Sequence, residues 1–341
     1  MTNPLLEKKA FIPFSQINVS QIEVAIDLII SDNLAKLETL LKQETLTWDN
    51  LIVPLQEQDA RLSEAWSPVS HLNSVRNADD WRVAYNNCLP KLSAYGSELG
   101  QHQGLYEAYK TLSESADFSS YNAEQKRTIE KALRDFKLSG IALPKDKQDR
   151  YKEIQSELSS LSSKYGENVL DSENDWSKHV ANEADLSGVP EVSLGILKQN
   201  AEKKELEGYL LNLEIPCFQA IVTYCDNGAL REELYRAFTT RASEIGPTEG
   251  KFDNTPNMSS IVRLRQELAE LLDFNNYAEL SLATKMAGNT DVVLDFLNDL
   301  VEKSYAIGQK EYAELLAFVK DEYGVEELNA WDAAYYIEKM K

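Results

Sequence analysis

Hydrolysis by a bound metal requires ligand side chains at a defined spacing, and the histidines of this chain do not provide one. The sequence has 341 residues and three histidines, His71, His102 and His179. None of them begins a His-Glu-x-x-His sequence, which would place two zinc ligands and a general base on one face of a helix. We therefore expect each histidine to be a surface residue or a hydrogen-bonded one, and we expect no metal site built wholly from this chain.

The cysteines point to a reduced protein. Cys88, Cys217 and Cys225 are an odd number and form no Cys-x-x-Cys pair. Unpaired thiols are typical of a cytoplasmic protein. Because Cys217 and Cys225 flank the apolar segment 218–224, we expect both to be small core residues.

Other catalytic patterns are also missing from the sequence. It contains no Gly-x-Ser-x-Gly turn and no phosphate-binding loop. The acidic pairs Asp79–Asp80 and Glu232–Glu233 are adjacent in sequence, so the two members point in different directions on a helix. These pairs are typical of a solvated surface.

Three aromatic residues have two interpretations. Tyr224, Tyr235 and Phe238 could line a groove for a peptide, or they could lie in the core. Their helical spacing favours the core.

The charge balance excludes two classes of partner. Thirty-five basic and 56 acidic residues give a net charge of -21. Nucleic-acid binding needs a basic surface, and anionic membranes repel an acidic one. The N-terminus lacks an apolar run of signal-peptide length, and no run is long enough to span a membrane. We expect neither a nucleic acid nor a membrane as partner, and we interpret the acidic surface as a source of solubility.

The elements that would position any site are predicted to be helices. Asn122 can cap a helix, with Gln125 completing a capping box. Gly140 can adopt the left-handed conformation that ends this helix, and Pro144 follows where a new segment starts. Ser20 and Glu23 form the pattern of another capping box, ahead of a long helix. Further helices are predicted at Asp49–Ser74 with a kink at Pro68, Trp81–Leu99 with a bend at Pro90, Leu105–Leu112, Asn122–Ser139 and Lys147–Val169.

A change of pattern near residue 174 predicts a small β excursion. Trp176–Val180 and Tyr209–Ile215 alternate apolar and polar residues, as strands do. A helix at Val192–Leu206 separates them. Helices then resume at Cys217–Tyr224, Ala229–Ala242, Ser259–Leu272, Tyr277–Met286 and Thr290–Tyr323. The predicted fold class is mainly α, a multi-helical bundle with a small β excursion around residues 174–215.

Particular residue orders along the chain carry a family resemblance. They are found at residues 67–76, which include His71, and at 100–106, 132–144, 209–216, 223–237, 264–278, 282–287 and 331–336. Together and in this order they closely resemble the thimet-type zinc metallopeptidases, and the earlier segments resemble the bacterial oligopeptidase A branch in particular.

The resemblance implies a fold and an activity. Members of that family are longer, largely helical proteins with a deep channel between two lobes. Their zinc helix carries His-Glu-x-x-His in the second half, where a glutamate activates the zinc-bound water for attack on a peptide carbonyl. The narrow channel restricts substrates to short, unstructured peptides. The resemblance therefore implies a cytoplasmic zinc metalloendopeptidase, of which this chain is the N-terminal half.

On this interpretation the chain has two parts. Residues 1–150 form a helical N-terminal domain, and residues 151–341 begin the peptidase domain, truncated before the zinc site. The chain supplies one wall of the channel, so no catalytic, cofactor-binding or metal-ligating residue is assigned to it. Alone, it is expected to bind no Zn²⁺ and to cleave no peptide until the missing C-terminal half is added.

Two further expectations follow. If the last helix packs on the missing half, Trp331, Tyr335 and Tyr336 lose part of their cover, and the chain tends to dimerise through that region. The alternative to a peptidase half is a non-catalytic helical protein that binds peptides or acts as an adaptor. Micromolar binding of a short peptide by this chain alone would favour the alternative.

Overall fold

Thirteen α-helices and one pair of short strands make up most of the regular structure of the described residues. The structure is a computed structural model that describes residues 3–8 and 10–341. Met1, Thr2 and Lys9, which belong to the N-terminal segment predicted to lack a signal peptide, lie outside the described residues. The predicted class, mainly α with a small β excursion, is confirmed.

Six helices precede the strands, and their sequence signals explain most of their ends. Asn122 caps α5, and its backbone N–H donates to the side chain of Gln125 in return. Gly140 follows α5 with φ of +77°, and Ile141 N–H donates to the carbonyl oxygen of Phe136, which closes the helix as predicted. The bounds are α1 (Ile22–Leu40), α2 (Val53–Val75, after a π-helical turn at Trp48–Ile52), α3 (Asp79–Gly100), α4 (Gln103–Glu114), α5 (Ala123–Leu138) and α6 (Lys145–Asp175).

The predicted capping box of Ser20 and Glu23 is wrong. A 3-10 turn precedes α1, and within it the side chain of Gln21 accepts a hydrogen bond from Asn18 N–H at 2.8 Å. Glu23 instead accepts hydrogen bonds from Asn87 at 2.9 Å and Lys91 at 3.2 Å. The carboxylate of Glu23 therefore bonds to side chains of α3, although the local sequence pattern predicted that it would cap the start of α1.

The β excursion is present but shorter than predicted. Strand β1 (Lys178–Val180) pairs antiparallel with β2 (Tyr209–Leu211), with His179 opposite Leu210. Helix α7 (Glu191–Glu202) lies between them in sequence. The second strand ends early because Ile215 begins the next helix, with Pro216 in its first turn, where proline is favoured.

Six helices follow the strands. Helix α10 begins before the predicted Ser259, and α11 ends before the predicted Met286. The bounds are α8 (Ile215–Tyr224), α9 (Gly228–Thr239), α10 (Thr255–Leu271), α11 (Tyr277–Leu282), α12 (Thr290–Tyr323) and α13 (Ala333–Met340). Across the part of the chain that the structure describes, no helix is both long and apolar enough to cross a membrane.

The chain divides into two compact units. The first contains the residues up to Ser163 together with Arg263–Leu280. Its core includes Ile22, Ile26 and Ile29 of α1, and a separate cluster joins Ile154 to Leu264.

The second unit contains Lys164–Val262 and Ser281–Lys341. Its main core surrounds β2 and α7–α9, and it includes Leu211, Ile221 and Leu234. A smaller cluster joins α12 to α13. The predicted domain boundary after residue 150 stays a prediction.

Candidate functional site

His102 has a structural role at the start of α4. Its Nδ1 accepts a hydrogen bond from Leu105 N–H at 3.1 Å, so the imidazole caps the helix. Its Nε2 lies 3.1 Å from Oε1 of Glu38. Both ring nitrogens are therefore engaged.

The other two histidines lie on the surface. His71 is exposed on α2, and its ring centroid is 5.4 Å from that of Phe14. His179 is exposed on β1, and its Nε2 lies 2.6 Å from the carbonyl oxygen of Glu207. The prediction that each histidine is a surface or hydrogen-bonded residue is confirmed.

The described residues do not fit a zinc site. No group of three or more His, Cys, Asp and Glu side chains in residues 3–8 and 10–341 is arranged to hold a metal ion. A catalytic zinc needs about three protein ligands and an open position for water. No step of zinc chemistry is therefore assigned to these residues.

The three thiols are core residues, as predicted for Cys217 and Cys225. Burial raises the pKa of Cys88 and Cys217 to about 11, and it raises the pKa of Cys225 as well. The sulfur of Cys225 also lies 3.5 Å from the carbonyl oxygen of Asp185. Since the thiolate is the reactive form, these cysteines are unsuited to nucleophilic catalysis.

Three of the four residues of the acidic pairs are exposed, as predicted. Asp79 and Asp80 are exposed at the start of α3, where negative charge is favoured. Glu233 is exposed and pairs with Lys178 at 2.9 Å, and Glu232 is half-buried.

The aromatic residues divide between core and surface. Phe238 stacks on Phe218, with 4.0 Å between ring centroids, and packs against the main core of the second unit. Tyr224 and Tyr235 are half-buried, and the ring of Tyr235 lies 6.2 Å from that of Trp331. The core interpretation is confirmed for Phe238.

Two cavities of the first unit are larger than a third, which is lined by residues that include Leu99 and Phe136. One of about 430 Å³ is lined by residues that include Trp66, Gln155 and Arg265. The other, of about 610 Å³, lies between the segment around Ile12 and the Arg61 side of α2. No histidine or cysteine is among the described residues that line either cavity, so neither offers an imidazole or a thiol for catalysis.

The most organised polar cluster lies in the second unit, where α13 meets α9. Arg231 is 4% exposed, and its Nε and Nη2 donate to Oδ1 of Asp332 at 3.0 and 2.6 Å. Its Nη1 donates to the carbonyl oxygen of Cys225 at 2.6 Å. The ring of Tyr335 covers the guanidinium at 4.0 Å. The buried charge is therefore paired, hydrogen-bonded and stacked, as a buried guanidinium must be.

Asp226 extends this cluster to the loop after α8. Its carboxylate accepts hydrogen bonds of 2.8 Å from the hydroxyls of Tyr335 and Ser187. The hydrogen bond from Tyr335 lowers the pKa of Asp226, and Ser187 and Lys339 lower it further, whereas partial burial raises it. We call Arg231, Asp332, Asp226 and Tyr335 the α13 anchor. It fixes α13, and its carboxylates and the hydroxyl of Tyr335 are all engaged in hydrogen bonds.

The expected loss of cover at the last helix is wrong for two of the three aromatic residues. Tyr335 and Tyr336 are only 7% and 8% exposed, and they pack with Leu315 and Val319 of α12. Trp331 is half-buried under the guanidinium of Arg236 at 4.7 Å. The cover comes from α9 and α12.

Comparison with known proteins gives two regional matches. The family "Neurolysin/Thimet oligopeptidase, N-terminal domain" matches residues 26–148. The family "Peptidase family M3" matches residues 221–341.

The whole chain also aligns with several relatives. It is 52% identical to oligopeptidase A of Haemophilus influenzae over 341 residues and 51% identical to oligopeptidase A of Escherichia coli K12 over 342 residues. It is 33% identical to the probable cytosolic oligopeptidase A of Arabidopsis thaliana over 349 residues. Each alignment covers 100% of this chain and 49–50% of the relative.

The C-terminal third of the chain is therefore similar to peptidase family M3, and the whole chain is similar to the oligopeptidase A proteins. The chain spans about half the length of these relatives and corresponds to their N-terminal half. The M3 match at residues 221–341 contains all four members of the α13 anchor. The resemblance stated from the sequence is confirmed.

Sequence reasoning did not single out Arg231 or Asp226, although both lie in the resembling segment 223–237. A local signal for Arg231 exists. The residue precedes Leu234 by three positions and Phe238 by seven, so it lies on the apolar face of α9. An arginine in that position indicates a buried acidic partner.

Proposed function

We propose that this chain is the N-terminal portion of a zinc-dependent M3 endopeptidase of the oligopeptidase A type, acting on short unstructured peptides. The observation that carries the proposal is the 52% identity to the Haemophilus oligopeptidase A across all 341 residues. An alignment over every helix and both strands implies the same architecture in the relative, so the part that the chain matches performs the same task in both.

That task is to form one wall of the peptidase channel. The described residues offer no set of zinc ligands, whereas the relatives have about as much chain again beyond the matched part. We therefore assign zinc binding and water activation to a C-terminal half of the relatives' type. Within the present chain, residues 1–150 are the helical N-terminal domain and residues 151–341 begin the peptidase domain.

Two observations support a cytoplasmic location. The Arabidopsis relative is described as a probable cytosolic oligopeptidase A. The three cysteines are buried free thiols, which suits a reducing compartment.

The test compares the 341-residue chain with a joined polypeptide, in which the second half of the Haemophilus relative follows the chain. Zinc content is measured by mass spectrometry, and cleavage is measured with a quenched fluorescent peptide. We expect the joined polypeptide to bind one Zn²⁺ and to cleave the peptide in a chelator-sensitive way. The chain alone should do neither.

Three results would contradict the proposal. Chelator-sensitive cleavage by the chain alone would place the chemistry in the residues described here. If the joined polypeptide folds and binds zinc but cleaves no peptide, the assignment of peptide hydrolysis to this protein is wrong. Micromolar peptide binding by the chain alone, measured by calorimetry with no cleavage by either form, would favour the peptide-binding or adaptor alternative.

A further inference from the structure

Helix α12 exposes a long apolar face in this structure. Nine large apolar or aromatic side chains between Val292 and Tyr312 are 46–63% exposed. They are Val292, Leu294, Phe296, Leu297, Leu300, Val301, Tyr305, Ile307 and Tyr312. Contiguous exposed apolar surface of this kind marks an interaction site in a folded protein.

Some of these residues form a single row along the helix. We define the α12 stripe as Leu294, Leu297, Val301, Tyr305, Gly308 and Tyr312. Its members are three or four positions apart, so they form one row along the helix. The opposite side carries Asp299, Lys303 and Lys310 together with the exposed Phe296 and Ile307, and Asp299 pairs with Lys303 at 2.7 Å. Residues 294–314 are exposed on every side of the helix, and the stripe is an apolar row within this uncovered part.

The stripe continues into a buried contact. Leu315 and Val319 extend the same row by steps of three and four residues, and they are 7% and 0% exposed. Both pack against Tyr335 and Tyr336 of α13. The last part of the row is therefore already used as an interface, and the first part has the same character without a partner.

Gly308 lies in an open notch on the stripe. A Cβ added at this position would meet no atom within 4 Å. The surrounding notch is bordered by Ser304, Tyr305, Ile307 and Tyr312. Glycine weakens the interior of a helix, so its place on the stripe suits a partner whose backbone or bulky side chain enters the notch.

We infer that the α12 stripe is the docking surface for the C-terminal half of an oligopeptidase A chain. The inference rests on the proposed function. The relatives carry about as many residues again as the part matched here, which is enough for a partner of domain size. The stripe also leads directly into the contact with α13, within the region that matches family M3. A second copy of this chain is the competing occupant.

The test measures how fast a maleimide reagent labels a cysteine placed on each face of α12. Val301→Cys lies on the stripe, and Ala306→Cys lies on the opposite side of the helix as the matched control. Both positions are exposed, and the native thiols are buried. In the 341-residue chain both variants should be labelled at similar rates. In the polypeptide joined to the second half of the Haemophilus relative, Val301→Cys should be labelled at least tenfold more slowly, with Ala306→Cys unchanged within twofold.

A second variant tests the notch without weakening the chain itself. In Gly308→Leu the new Cβ meets no atom within 4 Å and leucine replaces a poor helix former, so the melting temperature of the 341-residue chain should not fall. In the joined polypeptide the same variant should lower the melting temperature by several degrees, because the side chain occupies the space reserved for the partner.

Equal labelling of Val301→Cys in both forms would overturn the inference. Slow labelling of Val301→Cys in the chain alone, with dimers seen by sedimentation, would overturn it in favour of a second copy. The outcome is separate from that of the proposed function. If Val301→Cys is protected from labelling but the joined polypeptide has no peptidase activity, the docking inference stands and the proposed function fails. If the joined polypeptide is active but Val301→Cys is not protected, only the docking inference fails.

Discussion

Arg231 and Asp332 are 101 positions apart in sequence, yet Nη2 of one lies 2.6 Å from Oδ1 of the other in the interior of the second unit. The side chains are 4% and 11% exposed. A buried pair of this kind contributes little net stability compared with an apolar pair, but each member depends on the other for its charge to be tolerated. The pair therefore fixes the position of α13, because each charge is tolerated in the interior only when the other lies beside it.

Removing one member of this pair should be costly. In Asp332→Ala the guanidinium of Arg231 stays buried without its counter-charge, so we expect the free energy of unfolding to fall by about 3–5 kcal/mol. The matched control is Glu233→Ala, which breaks the exposed pair with Lys178 and should cost less than about 1 kcal/mol. Urea unfolding followed by circular dichroism measures both. Equal losses would show that the burial of Arg231 does not matter.

The stop after α5 can be tested by adding one methyl group. In Gly140→Ala the new Cβ would sit at φ of +77° and 2.7 Å from Cδ1 of Leu143. The left-handed conformation alone costs about 1–2 kcal/mol for a residue with a side chain, so the melting temperature should fall. Gly96→Ala is the control, because it lies inside α3 with no atom within 4 Å and should stabilise the helix by roughly 0.5–1 kcal/mol. A fall of the same size in both variants would contradict the assigned role of Gly140.

The sequence predicts well those features that depend on residues close to one another in the chain. The capping box of Asn122 and Gln125, the stop at Gly140 and most helix bounds depend on residues within a few positions, so local patterns suffice. Glu23 shows where such patterns fail, because Lys91 on another helix competes for its carboxylate. The cover of Tyr335 and Tyr336 also escaped prediction, since it comes from Arg231 and α12, which are distant in sequence. The prediction that each histidine is a surface or hydrogen-bonded residue followed from the sequence, whereas the α13 anchor could be identified only from the fold.

The thiols should be inert in the native chain. With a pKa of about 11 for Cys88 and Cys217, almost none of either is thiolate at pH 8, and burial blocks access as well. We expect an aromatic disulfide reagent at pH 8 to label no thiol in the native chain and three in guanidinium chloride. Fast labelling of one thiol without denaturant would mean that its region opens readily.

Acid should weaken the first unit through Glu267. Two hydrogen bonds from Arg150, of 2.6 and 2.9 Å, lower the pKa of Glu267 in the folded state. A lowered folded pKa means that this contribution is fully present above the unfolded pKa, roughly 4.3, and is lost as the pH falls through the folded pKa. Glu267→Gln should therefore lower the melting temperature at pH 7 and differ progressively less from the parent chain as the pH approaches 3. Glu130→Gln, at an exposed pair on α5, is the control and should follow the parent chain throughout.

The uneven cover of α12 has a consequence for its amide protons. All of its turns belong to one 34-residue helix, capped by Asn289 and ended by Gly324 at φ of +66°, but only the part near Leu315 and Val319 is packed against a neighbour. Local opening requires little free energy where few side chains hold a segment in place. Hydrogen–deuterium exchange should therefore be fast over residues 292–310 and slow from Leu315 onward, a gradient within one continuous helix. A partner bound along the uncovered part would slow exchange over residues 292–310, so the exchange rates of these amides would detect binding.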